Sequence, residues 1–193
     1  MYSVLRLPVF LIALLPVAAH AATLTVDVRN ARNQPLRDAV VYAIPEGKTL
    51  PLAKKTAVMD QKNRTFIPHI LPIQTGTSVR FPNSDDIRHQ VYSFSTAKTF
   101  SLPLYTGTPS NPIVFDKPGV ASLGCNIHDR MNAYIVVVDT PHFQATGGNG
   151  RATLADLGAG KYTVHVWHPQ LRAEPVSITL TAAQRHPMTF SLR

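Results

Sequence analysis

Cysteine is almost missing from this chain: 193 residues contain one, Cys125. A single thiol closes no internal disulfide. It also excludes Cys-x-x-Cys redox chemistry, all-cysteine zinc sites, iron–sulfur clusters and the two-cysteine binuclear copper site of oxidases. What is left for Cys125 is burial, a free thiol, or a metal thiolate completed by other residue types. Acidic residues are also scarce, 11 against 19 Lys and Arg, for a formal net charge of +8. Beyond Ala21 no apolar run reaches the roughly 18 residues that a membrane-spanning helix needs. The apolar fraction of 45% is still enough to bury a core, which sets aside a disordered tail or a collagenous rod.

The first 21 residues stand apart. They carry one positive charge at Arg6, an apolar run from Leu7 to Ala19, and the small-residue pattern Ala19-His20-Ala21. That is the layout of a secretory signal peptide. Pro8 and Pro16, in a run this short, argue against a membrane anchor, and the lack of Cys at the cleavage point removes the lipoprotein reading. Cleavage near Ala21 is expected to leave a soluble mature chain in the periplasm or outside the cell. Its charge is spread: +1 over 22–53 (4 basic, 3 acidic), +3 over 54–140 (9 and 6) and +3 over 141–193 (5 and 2). No basic cluster with interleaved aromatics appears, so nucleic acid is not an expected partner. A diffuse positive field suits anionic protein partners instead.

Nearly every mature segment alternates apolar and polar residues between Gly, Pro, Asn or Asp punctuation. Leu24-Thr25-Val26-Asp27-Val28, Ser78-Val79-Arg80-Phe81, Tyr162-Thr163-Val164-His165-Val166 and Val176-Ser177-Ile178-Thr179-Leu180 are examples. These read as half-buried antiparallel strands, and the class is all-β, of sandwich type. Helix-like stretches are short, around Leu50 to Val58 and Thr181 to Arg185. Residues 54–140 hold enough strands for one sandwich. The head, 22–53, and the tail, 141–193, are each too small for a stable core, but together they supply about six strands. The expectation is a central sandwich inserted into, or flanked by, a second small one.

The head pattern Val26-x-Val28, then Gln34-Pro35-Leu36-x-Asp38-Ala39-Val40-Val41, resembles the start of a carboxypeptidase-regulatory-like or transthyretin-like sandwich. The tail pattern Gly150-Arg151-Ala152-Thr153-Leu154-Ala155-Asp156-Leu157-x-Ala159-Gly160-Lys161-Tyr162-Thr163-Val164 resembles its continuation.

The stretch richest in chemistry is Gly124-Cys125-Asn126-Ile127-His128-Asp129-Arg130-Met131. A thiol, an imidazole and a thioether fall within seven residues, just before the apolar run Ala133 to Val138. His89 closes a segment upstream. One Cys, two His and a weak Met make the ligand set of a trigonal blue-copper site. Competing readings are a buried core cysteine, a zinc site lacking a fourth strong ligand, and a Cys–His catalytic pair with no accompanying oxyanion-hole signature.

Cys125-x-x-His128-x-x-Met131 resembles the short ligand loop of the amicyanin-like branch of the cupredoxins. The likeness runs through Phe66-x-Pro68-x-x-Leu71-x-Ile73-x-x-Gly76-x-x-Val79-x-Phe81-x-Asn83, His89-x-Val91 and Phe115-x-x-Pro118-Gly119, over roughly residues 58 to 140. It implies His89, Cys125, His128 and Met131 as ligands of one mononuclear copper ion. Many relatives place Asn directly after the first ligand His, where it ties the two ligand loops. This chain has Gln90, with Asn83 and Asn126 as alternative ties. The exported tandem is similar to proteins of the methylamine utilization type.

Three function classes follow. One is a periplasmic single-electron carrier between redox proteins such as a c-type cytochrome or a dehydrogenase. Another is a copper-binding protein for delivery, buffering or sensing. The last, an enzyme, is disfavoured: a multicopper oxidase flanks its Cys with His, and here the flanks are Gly124 and Asn126. The resemblance places His128 near the surface, with Ile127 and Pro82 in an apolar rim. Arg88 and Arg130, with Asp85, Asp86 and Asp129, make a mixed local field. Of the other histidines, His69 and His142 read as surface residues. His165 and Trp167 read as an exposed pair, while Met59 and Met188 read as core.

Overall fold

A computed structural model describes residues 21–193, so the export segment expected over Met1 to Ala21 falls, but for its last residue, outside the described residues. The head contributes β1 (Ala22–Arg29) and β2 (Val40–Pro45). The middle contributes β3 (Thr56–Val58), β4 (Asp60–Lys62), β5 (Thr65–Ile67), β6 (Ile70–Gln74) and β7 (Thr77–Arg80). It continues with β8 (His89–Ser95), β9 (Lys98–Tyr105), β10 (Ile113–Phe115), β11 (Gly119–Gly124) and β12 (Asn132–Val138). The tail adds β13 (Phe143–Ala145), β14 (Arg151–Leu157), β15 (Gly160–Trp167), β16 (Val176–Leu180) and β17 (Arg185–Ser191).

The chain is all-β, and no helix occurs among the described residues. Both helix-like stretches are therefore corrected. Residues 50–55 run irregularly past Pro51 before β3 pairs parallel with β7. At Thr181 the chain turns sharply instead: Ala183 takes a left-handed φ of 59° and the Gln184 side chain accepts from the Thr181 N–H at 3.0 Å, sending the chain into β17.

Head and tail strands share two sheets, ordered β14-β1-β17 and β13-β2-β15-β16. Between them lies one apolar cluster that includes Leu24, Val26, Val41, Leu154, Val164, Leu180 and Phe190. Thr146 fastens the two parts: its hydroxyl accepts from the Ala39 N–H at 3.0 Å and donates to the Leu36 carbonyl at 2.7 Å. The central strands form the sheets β6-β12-β11-β8-β9 and β10-β7-β3, with the hairpin β4-β5. Their cluster includes Met59, Phe66, Phe81, Val91, Phe115, Cys125, Met131 and Ile135.

A third cluster joins the two sandwiches. Val40, Ile70, Val136 and Val138 are buried there, with Tyr42, Val120, Tyr134, Phe143 and Trp167 packed around them. The alternation of β12 explains it. Ala133, Ile135 and Val137 face the central core, whereas Tyr134, Val136 and Val138 face the second sandwich. A strand covered on both sides needs an unbroken apolar run. The reading of His165 and Trp167 as exposed is corrected for the same reason. Both are half-buried: His165 stacks on Tyr42 (centroids 4.8 Å, planes 4° apart), and Trp167 meets Tyr134 at 5.4 Å. Trp167 packs at the joint with the central sheet, and His165 is covered by Tyr42, which packs there too. Met59 is fully buried, and Met188 packs at the margin of the head–tail core.

Candidate metal centre

Three neighbouring strands bring the site together. Cys125 follows the last residue of β11 and Met131 precedes the first of β12. Between them the backbone makes two three-residue turns. The His128 N–H points to the Cys125 carbonyl at 3.4 Å, and the Met131 N–H donates to the His128 carbonyl at 2.9 Å. Residues three apart in such turns lie over one another. The Cys-x-x-His-x-x-Met spacing thus has a structural counterpart, one residue per turn on one side. His89 opens β8, which pairs with β11 at Tyr92 and Gly124, so the start of β8 lies beside the end of β11.

The result is a convergence of three donors. The ligand atoms of His89, Cys125 and His128 lie within 4.8 Å of one another. Cys125 Sγ is 4.0 Å from His89 Nδ1 and 3.9 Å from His128 Nδ1. Bonds of about 2.3 Å to sulfur and 2.0 Å to nitrogen place such donors roughly 3.5–3.7 Å apart around a shared ion. The two sulfur–nitrogen pairs therefore need only a few tenths of an ångström of contraction. His89 is fully buried and Cys125 is 5% exposed, whereas His128 is part-exposed. Met131, 2% exposed, packs in the same apolar cluster as Cys125 and lines the same cleft. A thiol and two imidazoles facing one another in an apolar wall form a soft, mixed donor set that suits a copper ion.

His89 is held from behind. Its Nε2 lies 2.7 Å from Asp85 Oδ2. The same carboxylate accepts from the Asn63 N–H at 2.6 Å and the Arg64 N–H at 3.0 Å. Burial pushes the Asp85 pKa up, but the hydrogen bonds from Arg64, His89 and Asn63 outweigh it and hold the carboxyl below its ordinary value. An ionised carboxylate only accepts, so this contact calls for a proton on His89 Nε2, and Nδ1 is the ring nitrogen that faces Cys125. Read from sequence, Asp85 belongs to the mixed surface field. In the fold its side chain is 11% exposed and committed to His89. Nothing in the local sequence signals this, because the contact depends on a hairpin turn more than 20 residues earlier.

The candidate loop ties do not bridge the loops. Gln90 donates to Ser101 on β9 at 3.1 Å. Asn83 is buried and holds its own loop, donating to the Ile87 and Tyr105 carbonyls at 2.8 Å each. Asn126 is exposed. Tyr105, opposite His89 in the β8–β9 register, donates to the Phe81 carbonyl at 2.7 Å and accepts from Gln61. At the rim, Ile127 is 50% exposed and Pro82 half-buried.

No protein-family profile and no curated protein matches the chain. Part of it is similar to solved cupredoxins. A reduced amicyanin variant shares 19% identity over 50% of this chain and 99% of its own, with a TM-score of 0.39. A purple cupredoxin from Nitrosopumilus maritimus shares 22% over 44% of this chain and 100% of its own, TM-score 0.37. A copper-containing nitrite reductase from Thermus scotoductus shares 23% over 58% of this chain and 28% of its own, TM-score 0.41.

Proposed function

We propose that this chain is a periplasmic blue-copper protein that carries single electrons between redox proteins, with His89, Cys125, His128 and Met131 holding one copper ion. The convergence of His89 Nδ1, Cys125 Sγ and His128 Nδ1, with buried Met131 beside them, carries the reading. A copper ion so bound supplies a one-electron couple. The chain's own residues do the rest. Strands β8, β11 and β12 fix the donors in a packed core, which limits their movement when charge changes. The part-exposed His128 and the apolar Ile127 offer the contact through which a c-type cytochrome or dehydrogenase exchanges the electron. With Asp85 committed to His89, Arg88 and Arg130 are balanced by Asp86 and Asp129, so such a contact is weak and transient.

The organisation we propose is a copper-binding sandwich, 54–140, inserted between the two parts, 22–53 and 141–193, of a carboxypeptidase-regulatory-like sandwich, behind a cleaved export signal. It is supported by sheets that unite head with tail and never mix them with central strands among the described residues. Deleting 22–50 should chiefly unfold the tail and leave copper uptake in place.

Optical and electron paramagnetic spectra of the copper-loaded protein test the function. An intense visible thiolate band, absent from Cys125→Ser, is the expected result. A colourless tetragonal Cu(II) form that exchanges its metal rapidly would point to copper delivery or buffering instead.

A further inference from the structure

Asp85 is joined to the donor cluster through a turn that the ligand loops do not include. Strands β4 and β5 are linked by Asn63 and Arg64 alone, with φ of 55° and 57°. Two consecutive left-handed residues make the hairpin turn whose geometry matches the twist of its strands. Arg64 is not a residue that favours this region, so the turn is held by what it binds. Its two N–H groups converge on Asp85, at 2.6 and 3.0 Å, and form a small anion nest. Oδ2 then faces His89 Nε2 at 2.7 Å, with the imidazole fully buried.

We propose that Asp85 is a positioning residue: held by the Asn63–Arg64 turn, its carboxylate fixes the His89 tautomer and makes Nδ1 a stronger donor to the oxidised metal. This rests on the copper reading above. A negative acceptor on Nε2–H increases the basicity of the ring, and a more basic ligand favours the higher charge of Cu(II) over Cu(I). Asp85 thereby lowers the reduction potential without touching the metal. Asp86, one residue on and exposed, has the same charge and no contact with His89 among the described hydrogen bonds.

The test compares wild type, Asp85→Asn, Asp85→Glu and Asp86→Asn. Nitrogen NMR of the apoprotein should show wild-type His89 protonated at Nε2. Asp85→Asn should weaken Cu(II) binding about 10–100-fold. Its potential should rise by about 59 mV for each tenfold by which Cu(II) affinity falls beyond that of Cu(I). Asp85→Glu, which keeps a carboxylate, should recover most of the shift, and Asp86→Asn should show none. Should Asp85→Asn not fold, the tautomer decides: wild-type His89 protonated at Nδ1 overturns the inference. A wild type without the thiolate band overturns the copper reading and this inference with it. A normal band, with Asp85→Asn matching Asp86→Asn in affinity and potential, overturns this inference alone.

Discussion

The side chain of Tyr92 fills the space that a side chain at Gly124 would need: a β-carbon placed there comes within 2.6 Å of the Tyr92 Cζ and hydroxyl oxygen. Gly124 is the residue before Cys125, so the tyrosine braces the backbone that carries the thiol. Gly124→Ala should therefore cost about 1–3 kcal/mol by overpacking and shift the visible spectrum of the copper form. Adding Tyr92→Ala should return part of that loss, because the two changes share one contact. Additive effects in denaturant unfolding would remove the bracing role.

Thr146 offers a test of the head–tail union. Thr146→Val keeps the shape but leaves the buried Ala39 N–H and the Leu36 carbonyl without their hydroxyl partner. A loss of roughly 1–3 kcal/mol is expected, read as a lower unfolding midpoint with the visible band intact. A neutral result would mean that the flanking segments do not depend on this fastening.

Acid should loosen the joint between the sandwiches. Burial holds the His165 pKa below its ordinary value, and burial does the same at His142, partly opposed by Asp156. The unfolded chain then takes up protons that the folded chain refuses. Stability is undiminished above the unfolded value of about 6.5 and falls as pH drops below it toward the folded values. Melting curves between neutral pH and mild acid should show this decline, and His165→Gln should flatten it. An equal slope in the variant would sink the assignment.

Tyr105 should behave in the opposite direction. Burial pushes its pKa up to about 12, against a smaller lowering by the Gln61 hydrogen bond. Its contribution is complete below the unfolded value of about 10 and is lost as pH rises through about 12. An ultraviolet titration should find late ionisation that accompanies unfolding, and Tyr105→Phe should reduce its latest part. A late component that persists unchanged in Tyr105→Phe would refute it.

Particular residues show what the sequence discloses and where it stops. The alternation Leu24-Thr25-Val26-Asp27-Val28 announces a half-buried strand, since its Leu and Val positions are buried and its Thr and Asp only partly so. The donor spacing is legible because each three-residue step coincides with one backbone turn. His165 and Trp167 show the limit: alternation says which face is opposite the core but not what covers that face. Asp85 shows another, because its role arises only when a distant hairpin folds back against it. The short stretches near Leu50 and Thr181 are too short to carry a period of their own, and tertiary pairing decides them.

From Ile135 onward strand β12 has no free face, since one side belongs to the central core and the other to the joint with the second sandwich. Such a segment cannot open by local fraying. Its amides are expected to be among the slowest in the chain to exchange with solvent. The loop bearing Cys125, His128 and Met131 is spliced into the beginning of that strand. The second sandwich, which supplies none of the donor residues, therefore acts as ballast for the metal loop, and removing it should shorten the lifetime of the bound ion before it changes its colour.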